Sequence, residues 1–199
     1  MRHQHFWICR HGETTHNVEG RIQGVLDSGL TERGRLQARL LGEYFRALRD
    51  NDGANLVASP LHRTKSTARI VGSIAGLIPC YHDALKELGR GILEGKLKGQ
   101  LSAEDRKHND NFKADPWTYR VPGGETFTEL RARVNGFLAE LETAAVDCHV
   151  IITHGFVVRM IVAQLIGDDV SGFRAPHDTV HYVQQCAGGV TYRPVLVTS

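Results

Sequence analysis

Short apolar runs alternate with longer amphipathic segments along most of the chain, and this alternation is what most constrains its fold. Apolar runs at 5–9, 55–58 and 148–153 have the length of buried strands, with a shorter candidate at 77–81. Segments with helical spacing of apolar residues lie between and after them, at 31–48, 61–76, 127–141 and 156–166. Strands separated by helices of this length predict a mainly parallel sheet with helices on both faces. We therefore expect one α/β domain, a three-layer α/β/α sandwich over residues 1–199, closed by β-rich segments at 180–186 and 190–197.

One segment does not follow the alternation. Residues 96–121 are polar, lack a clear apolar period and contain Asn109-Asp110-Asn111 and Asp115-Pro116. Long stretches without regular structure inside a compact domain are usually functional loops or insertions. We expect an inserted polar loop or lid here.

Composition excludes several classes of protein. The chain has 199 residues, 41% hydrophobic and 23% charged, with a formal net charge of +2. This charge is too small to indicate a nucleic-acid or membrane-surface partner. No run of 18 apolar residues occurs, so a membrane span is not expected. Four scattered cysteines without a Cys-x-x-Cys pair are expected to be buried thiols in a reducing, cytoplasmic protein.

The most reactive combination of residues follows the first predicted strand, at Arg10-His11-Gly12. Arginine presents a planar fork of donors to phosphate oxygens. Neutral histidine offers a ring nitrogen as a nucleophile, and glycine lets the backbone approach a ligand closely. Three residues alone are weak evidence, since a chain with 24 basic residues and 11 histidines can contain them by chance.

Residues 10–17, Arg-His-Gly-Glu-Thr-Thr-His-Asn, resemble the signature of the histidine phosphatase superfamily in its phosphoglycerate mutase-like branch. Further stretches resemble the later motifs of this family, in the family's order: 59–64 (Ser-Pro-Leu-His-Arg-Thr), 87–95 (Glu-x-x-x-Gly-x-x-Glu-Gly), 122–126 (Pro-Gly-Gly-Glu-Thr), and 153–155 (Thr-His-Gly) with Arg159. A single match of this kind can arise by chance, but five matches in the family's order are strong evidence for the resemblance. The resemblance spans most of the chain and implies the phosphoglycerate mutase-like fold.

The resemblance implies a phosphate site at the carboxyl ends of the strands, where open α/β sheets bind ligands. Arg10 and Arg63 are the expected bidentate donors to the phosphate, and Asn17 matches a phosphate-contacting amide. His154 is expected to add a further donor. The helix that follows it would add backbone N–H groups and a favourable dipole.

The resemblance also implies the catalytic roles. His11 is the expected nucleophile, forming a phosphohistidine, while the arginines and His154 stabilise the phosphoryl oxygens. Glu87 is the expected general acid for the leaving alkoxide, and then the general base for the attacking water. No step needs a metal or another cofactor. The His3-x-His5 pair is interpreted as part of a frayed terminus.

Contacts to the rest of the substrate are expected from four polar side chains: Arg21, Gln23, Arg90 and Lys98. Lys98 is similar in position to a substrate-binding lysine of the mutases, whereas Arg90 departs from the family, which usually has an aromatic residue there. Together with Lys96 these cations could bind a second anionic group or be solvated. Trp117 and Tyr119 could line the leaving-group pocket or plug the core beneath a loop.

Three functions remain open. The favoured one is a metal-independent phosphomonoesterase acting on a small phosphorylated metabolite, because family mutases have a larger insertion after the acidic motif and a C-terminal tail. The others are a phosphoglycerate mutase and a non-catalytic phosphate-binding module, although a module of that kind usually loses the nucleophile or the acid. The expected partner is a small-molecule phosphate ester, with neither nucleic acid nor membrane, and a homodimer is left open.

Overall fold

The first strand of the chain lies inside the sheet, not at its edge. The computed structural model describes residues 3–48, 53–169 and 173–198. Within these ranges the strands are β1 Gln4–Arg10, β2 Asn55–Ala58, β3 Pro79–Tyr81, β4 Cys148–Thr153, β5 Thr179–Cys186 and β6 Gly189–Leu196. The helices are α1 Thr15–Glu19, α2 Glu32–Ala47, α3 His62–Ala75, α4 Ala103–Ala114, α5 Phe127–Glu142 and α6 Gly155–Ile166. Short 3₁₀ turns lie at Asp83–Leu85, Gly91–Leu93 and Lys98–Gln100.

The strands form a sheet in the order β3-β2-β4-β1-β5-β6. The first four of these are parallel, with Ile8 of β1 opposite Ile151 of β4. β5 runs antiparallel to β1 and forms a hairpin with β6. The predicted mainly parallel sheet is therefore confirmed. β6 is antiparallel to β5 because the connection between them is too short for a parallel crossover.

Two apolar cores lie on opposite faces of the sheet, because successive side chains of a strand point to opposite sides. One face of β1 packs with α5 and α6 through buried side chains that include Phe6, Ile8, Leu130, Phe137, Val158 and Ile161. The other packs with α2 and α3 through Trp7, Cys9, Leu41, Phe45, Ala68 and Val71. The three-layer α/β/α architecture is confirmed. Among the described residues, no helix has both the length and the apolar character needed to cross a membrane.

The cysteines correct one expectation. Cys9 is fully buried between β1 and the α2–α3 layer, and burial raises the pKa of its thiol. Cys80 is exposed, contrary to the prediction, because β3 is the edge strand of the sheet. Cys148 and Cys186 are half-buried, and all four are free thiols.

The segment 96–121 contains a regular helix, α4, where the sequence indicated only a polar loop. Ser102 begins it as the N-cap, its hydroxyl oxygen accepting from the Asp105 backbone N–H at 3.1 Å. Only Asp105 and Phe112 of its twelve residues are buried. One large apolar residue cannot produce a helical period, so this helix carries almost no hydrophobic signal.

Candidate active site

The ends of β1, β2 and β4 bring the predicted residues together. The His11 backbone N–H donates to Thr153 O at 2.9 Å, and that of Ser59 donates to Ile152 O at 3.1 Å. The parallel register thus extends one residue past each strand. Four side chains meet there, which we call the strand-end cluster: Arg10, His11, Arg63 and His154. The predicted convergence of these residues is present in the structure.

His11 is buried, with 2% of its surface exposed. Its Nδ1 donates to Gly12 O at 2.8 Å, so Nε2 is the nitrogen left for other chemistry. Burial, together with the charges of Arg10 and Arg63, holds the pKa of His11 well below its usual range. The ring is therefore neutral at physiological pH, the form in which nitrogen is nucleophilic.

Arg63 lies in the first turn of α3 and is 1% exposed. Its Nε donates to His154 Nδ1 at 3.2 Å, and its Nη2 donates to Gly24 O at 2.7 Å. Its Nη1 donates to Leu26 O at 2.9 Å and to Asp27 Oδ1 at 3.0 Å. These four bonds use four of the five guanidinium N–H groups, so the ion is rigidly held with one N–H remaining for a ligand.

His154 directly follows β4 and is completely buried. Its ring centroid lies 5.2 Å from that of His11. Nδ1 accepts from Arg63, so in the neutral ring Nε2 donates to Ser59 Oγ, at 2.8 Å. Burial and the Arg63 charge hold the pKa of His154 well below its usual range. Both nitrogens already have protein partners, so donation to a phosphate requires the Ser59 bond to be exchanged and stays a prediction.

The side chains of Arg10 and Glu87 both approach Gly155 at the start of α6. A Cβ at Gly155 would be 3.7 Å from Arg10 Cζ and 3.8 Å from Glu87 Oε2. Arg10 Nη1 donates to Ala175 O at 3.1 Å, whereas its buried Nε has no partner among the described residues. Burial lowers the pKa of Arg10, and the Glu87 carboxylate opposes that shift. The guanidinium is thus held in place with an unused donor.

The backbone at Gly12 packs closely against α2. A Cβ there would lie 2.3 Å from Gly34 O in α2, and one at Gly34 would lie 2.0 Å from Glu13 O. The two glycines allow the loop after β1 to pack directly on the helix backbone. The close approach that requires Gly12 is therefore to α2.

Glu87 is carried by a loop that two glycine-containing motifs hold together. Gly91 has φ +49°, and a Cβ there would lie 2.0 Å from Pro122 O. The Glu125 backbone N–H donates to Gly89 O at 2.9 Å, and the Glu125 carboxylate pairs with Arg133. The Pro-Gly-Gly-Glu motif is therefore a backbone support for the loop that presents Glu87.

A cavity of about 790 Å³ opens above the strand-end cluster. Seven of its described lining residues are basic and two are acidic; the basic ones are Arg10, Arg21, Arg63, Arg90, Lys98, Lys113 and Arg159, and the acidic ones are Glu87 and Asp169. Such a surface attracts an anionic ligand. In the described part of the chain, no group of three or more His, Cys, Asp or Glu side chains is arranged to hold a metal ion.

The remaining predicted binding residues all line this cavity: Asn17, Arg21, Gln23, Arg90 and Lys98. Thr14 is the N-cap of α1, and Asn17 completes the capping box because its Oδ1 accepts from the Thr14 backbone N–H at 3.1 Å. The Asn17 Nδ2 makes no hydrogen bond among the described residues. Gln23 donates to Thr14 Oγ1 at 3.0 Å, and Arg21 donates to Gly95 O at 2.8 Å. Arg90 and Lys98 lie across the cavity on the segment that follows Glu87.

The structure also places three residues whose roles the sequence left open. Lys96 pairs with Asp105 of α4 and is not among the cavity-lining residues. Trp117 lines the cavity and packs edge-on to Phe127, with ring centroids 5.5 Å apart. Tyr119 does not line it; its Oη lies 2.7 Å from His108 Nδ1.

Sequence reasoning missed three residues at this site. Asp27 accepts from the backbone of His62 and Arg63 and pairs with the Arg63 guanidinium. His177 donates from Nδ1 to His11 O at 2.5 Å, and burial beside Arg10 lowers its pKa to about 4. Asn109 lines the cavity from α4. Each reaches the site only through the tertiary fold, and no local motif marks it.

Comparisons with known proteins agree with this geometry. The family model of the histidine phosphatase superfamily (branch 1) matches residues 6–186. A relative from Salmonella paratyphi C (strain RKS4594), named "Probable phosphoglycerate mutase GpmB", is 35% identical over 162 residues, covering 81% of this chain and 74% of the relative.

Solved structures show the same likeness over nearly the whole chain. The alpha-ribazole phosphatase from Shigella flexneri has a TM-score of 0.83 and 31% identity, covering 98% of this chain and 96% of its own. A mycobacterial glucosyl-3-phosphoglycerate phosphatase has a TM-score of 0.80 and 25% identity, covering all of both chains. With the family model matched over residues 6–186 and the motifs that contain His11 and Glu87 lining one cavity, this chain is an enzyme of the histidine phosphatase superfamily, branch 1.

Proposed function

We propose that the protein is a metal-independent phosphomonoesterase that hydrolyses a small phosphorylated metabolite through a phosphohistidine at His11. The observation that carries this proposal is a neutral, buried His11 with Nε2 unused, at the floor of a cationic cavity with Glu87 in its wall. The cavity volume of about 790 Å³ suits a small metabolite.

In the first step His11 Nε2 attacks phosphorus and forms the P–N bond while the bond to the ester oxygen breaks. The free donors of Arg10 and Arg63, with Asn17, bind the phosphoryl oxygens and neutralise charge, which is the main requirement of phosphoryl transfer. The carboxyl group of Glu87 gives its proton to the departing oxygen, so the product leaves as an alcohol.

In the second step a water molecule attacks the phosphohistidine. The Glu87 carboxylate takes a proton from the water, the P–O bond forms and the P–N bond breaks. Inorganic phosphate leaves, His11 is neutral again and Glu87 is protonated for the next cycle. His154 supports both steps by fixing the Nε of Arg63.

Phosphoglycerate mutase is the second candidate. The relative at 35% identity is named "Probable phosphoglycerate mutase GpmB", and Lys98, similar in sequence position to a substrate-binding lysine of the mutases, lines the cavity. A mutase returns the phosphoryl group to the organic substrate, so it interconverts the 2- and 3-phosphates of glycerate without net phosphate release.

The test is a panel of phosphorylated metabolites scored for free phosphate, with a chelator present and with His11→Ala as the control protein. We expect chelator-resistant release from at least one small phosphomonoester and none from the control. Activity that the chelator abolishes and a divalent metal restores would contradict the proposal. Conversion of 3-phosphoglycerate to its 2-isomer without phosphate release would establish the mutase instead.

A further inference from the structure

Arg90 is a buried cation that the proposed chemistry does not use. Only 8% of its surface is exposed, although it lines the cavity. Its Nε has no hydrogen-bond partner among the described residues. A buried guanidinium with an unpaired N–H is costly to maintain, because the group has lost its water without gaining an acceptor.

The acidic residues near Arg90 do not satisfy it. Glu94 lies close by, but its Oε1 accepts from the backbone of Arg90 and Val25, and its Oε2 accepts from that of Leu26. Burial lowers the pKa of Arg90, and the charges of Glu87 and Glu94 oppose that shift. Neither carboxylate forms an ion pair with the Arg90 guanidinium, which therefore lacks a counter-ion of its own among the described residues.

Helix α4 holds this guanidinium in position. Phe112 lies beneath it, with Arg90 Cζ 4.1 Å from the ring centroid. Nη2 donates to Asn109 Oδ1 at 3.0 Å. Both partners are on one face of α4 and both line the cavity. An arginine fixed by stacking and by one amide is preorganised, and its remaining donors have a set direction.

The Arg90 guanidinium and the strand-end cluster are held by different parts of the structure. Arg63 donates to Gly24 O and Leu26 O, whereas the Arg90 guanidinium contacts Asn109 and Phe112 of α4. Lys98 lies near both Arg10 and Arg90, since burial and these two charges lower its pKa. The cavity thus has a second group of cations, Arg90 and Lys98, on the segment that follows Glu87.

We propose that Arg90 binds a second anionic group, a carboxylate or a phosphate, on the leaving-group part of the substrate. This assignment rests on the proposed function, because it takes the strand-end cluster as the site of the transferred phosphate. Asn109 and Phe112 act as positioning residues for Arg90, and Lys98, which also lines the cavity, adds charge there. The preferred substrate is accordingly an ester with two anionic ends.

Calorimetric binding of phosphonates tests this without requiring turnover. The probes are propylphosphonate, 3-carboxypropylphosphonate and propane-1,3-diylbisphosphonate, against the wild type, Arg90→Met, Arg90→Lys and the control Lys107→Met. Lys107 is an exposed cation on the same helix. We expect the wild type to bind at least one two-ended probe roughly 10- to 100-fold more tightly than propylphosphonate, as one charged hydrogen-bonded contact predicts.

The Arg90→Met variant should lose this preference while binding propylphosphonate as the wild type does, and Lys107→Met should keep it. The carboxylate and bisphosphonate probes separate the two kinds of second anion. Equal affinity of the wild type for all three probes, or a preference that survives Arg90→Met, would overturn the assignment. Failure of the proposed function would be seen separately, as the absence of p-nitrophenyl phosphate hydrolysis by a wild type that still shows the binding preference.

Discussion

The two ends of the cavity are built in different ways. The strand-end cluster is held by the parallel strands and by hydrogen bonds from completely buried groups, such as those between Arg63, His154 and Ser59. The outer wall, residues 87–117, contains no strand; it consists of 3₁₀ turns, glycine turns and the mostly exposed helix α4.

This difference separates the chemistry from the choice of substrate. Phosphoryl transfer needs the same charges at the same places whatever the alcohol, so a rigid sheet edge suits it. Contacts to the alcohol can change without disturbing the sheet when they lie on loops and on a surface helix. The outer wall is therefore where we expect the specificity of this enzyme to be set.

The largest expected effect is at the floor of the strand-end cluster. His11→Ala removes the nucleophile and should lower kcat on p-nitrophenyl phosphate by roughly 10⁴-fold or more. The acid-labile phosphoenzyme trapped by rapid quench should disappear as well. His82→Ala, which changes a histidine that pairs with Glu140 and does not line the cavity, is the matched control and should keep wild-type turnover. Retention of more than a few per cent of activity in His11→Ala would remove His11 from the mechanism.

The next effect separates the two steps of the reaction. Glu87→Gln keeps the shape of the side chain but cannot give a proton, so kcat on an alkyl phosphate should fall by roughly 10²- to 10⁴-fold. A nitrophenyl leaving group needs little protonation, so phosphorylation of His11 should survive better with that substrate. Dephosphorylation would still lack its base, and phosphoenzyme should accumulate as a burst.

The burst is the diagnostic observation for Glu87. Equal loss with both substrates and no burst would show that Glu87 is structural and that the proton comes from another group. Glu13 and His154 would then be the next residues to replace.

Replacing Arg63 should lower kcat less than replacing His11 does. Arg63→Ala should lower kcat by roughly 10²- to 10³-fold, the usual loss for one charge-stabilising donor. Arg69→Ala, an exposed arginine on the same helix, is the matched control and should have no effect on kcat. A change in KM alone would mean that Arg63 binds ground state and transition state equally.

A glycine pair tests how tightly the outer wall positions Glu87. Gly91→Ala places a Cβ against Pro122 O at a positive φ and should destabilise the protein by roughly 1–3 kcal/mol while lowering kcat. Gly99→Ala meets no atom within 4 Å and should change neither. Urea unfolding and p-nitrophenyl phosphate turnover measure both effects. Unchanged kcat in Gly91→Ala would mean that this turn does not position the acid.

The smallest expected effect is on the pH dependence of folding stability, through His181 in β5. Burial lowers the pKa of His181 to about 4, so the unfolded chain binds the proton more readily than the folded one. Stability should fall as the pH drops from about 6.5 towards 4, by at most about 1.4 kcal/mol per pH unit for this residue. His181→Gln should show a shallower pH dependence of the urea midpoint than the wild type. An identical pH dependence in the two proteins would show that His181 does not contribute to it.

The sequence by itself determined the sheet and the reactive residues at the carboxyl ends of its strands. Apolar runs such as 148–153 predict strands because buried parallel strands are apolar on both faces. Arg10 and His11 follow the first such run directly and Arg63 lies five residues after the second, so topology brings them to the carboxyl ends of the strands.

Tertiary structure decided the rest, since the information is not local. Helix α4 contains a single large buried apolar residue, Phe112, so nothing in its own pattern marks it as a helix or as part of the cavity. Asp27 and His177 reach Arg63 and His11 across 36 and 166 positions of the chain, and Gly12 is required by contact with Gly34 of α2. Periodicity reports which face of an element is buried, but the partner it meets there is chosen by the packing of the whole chain.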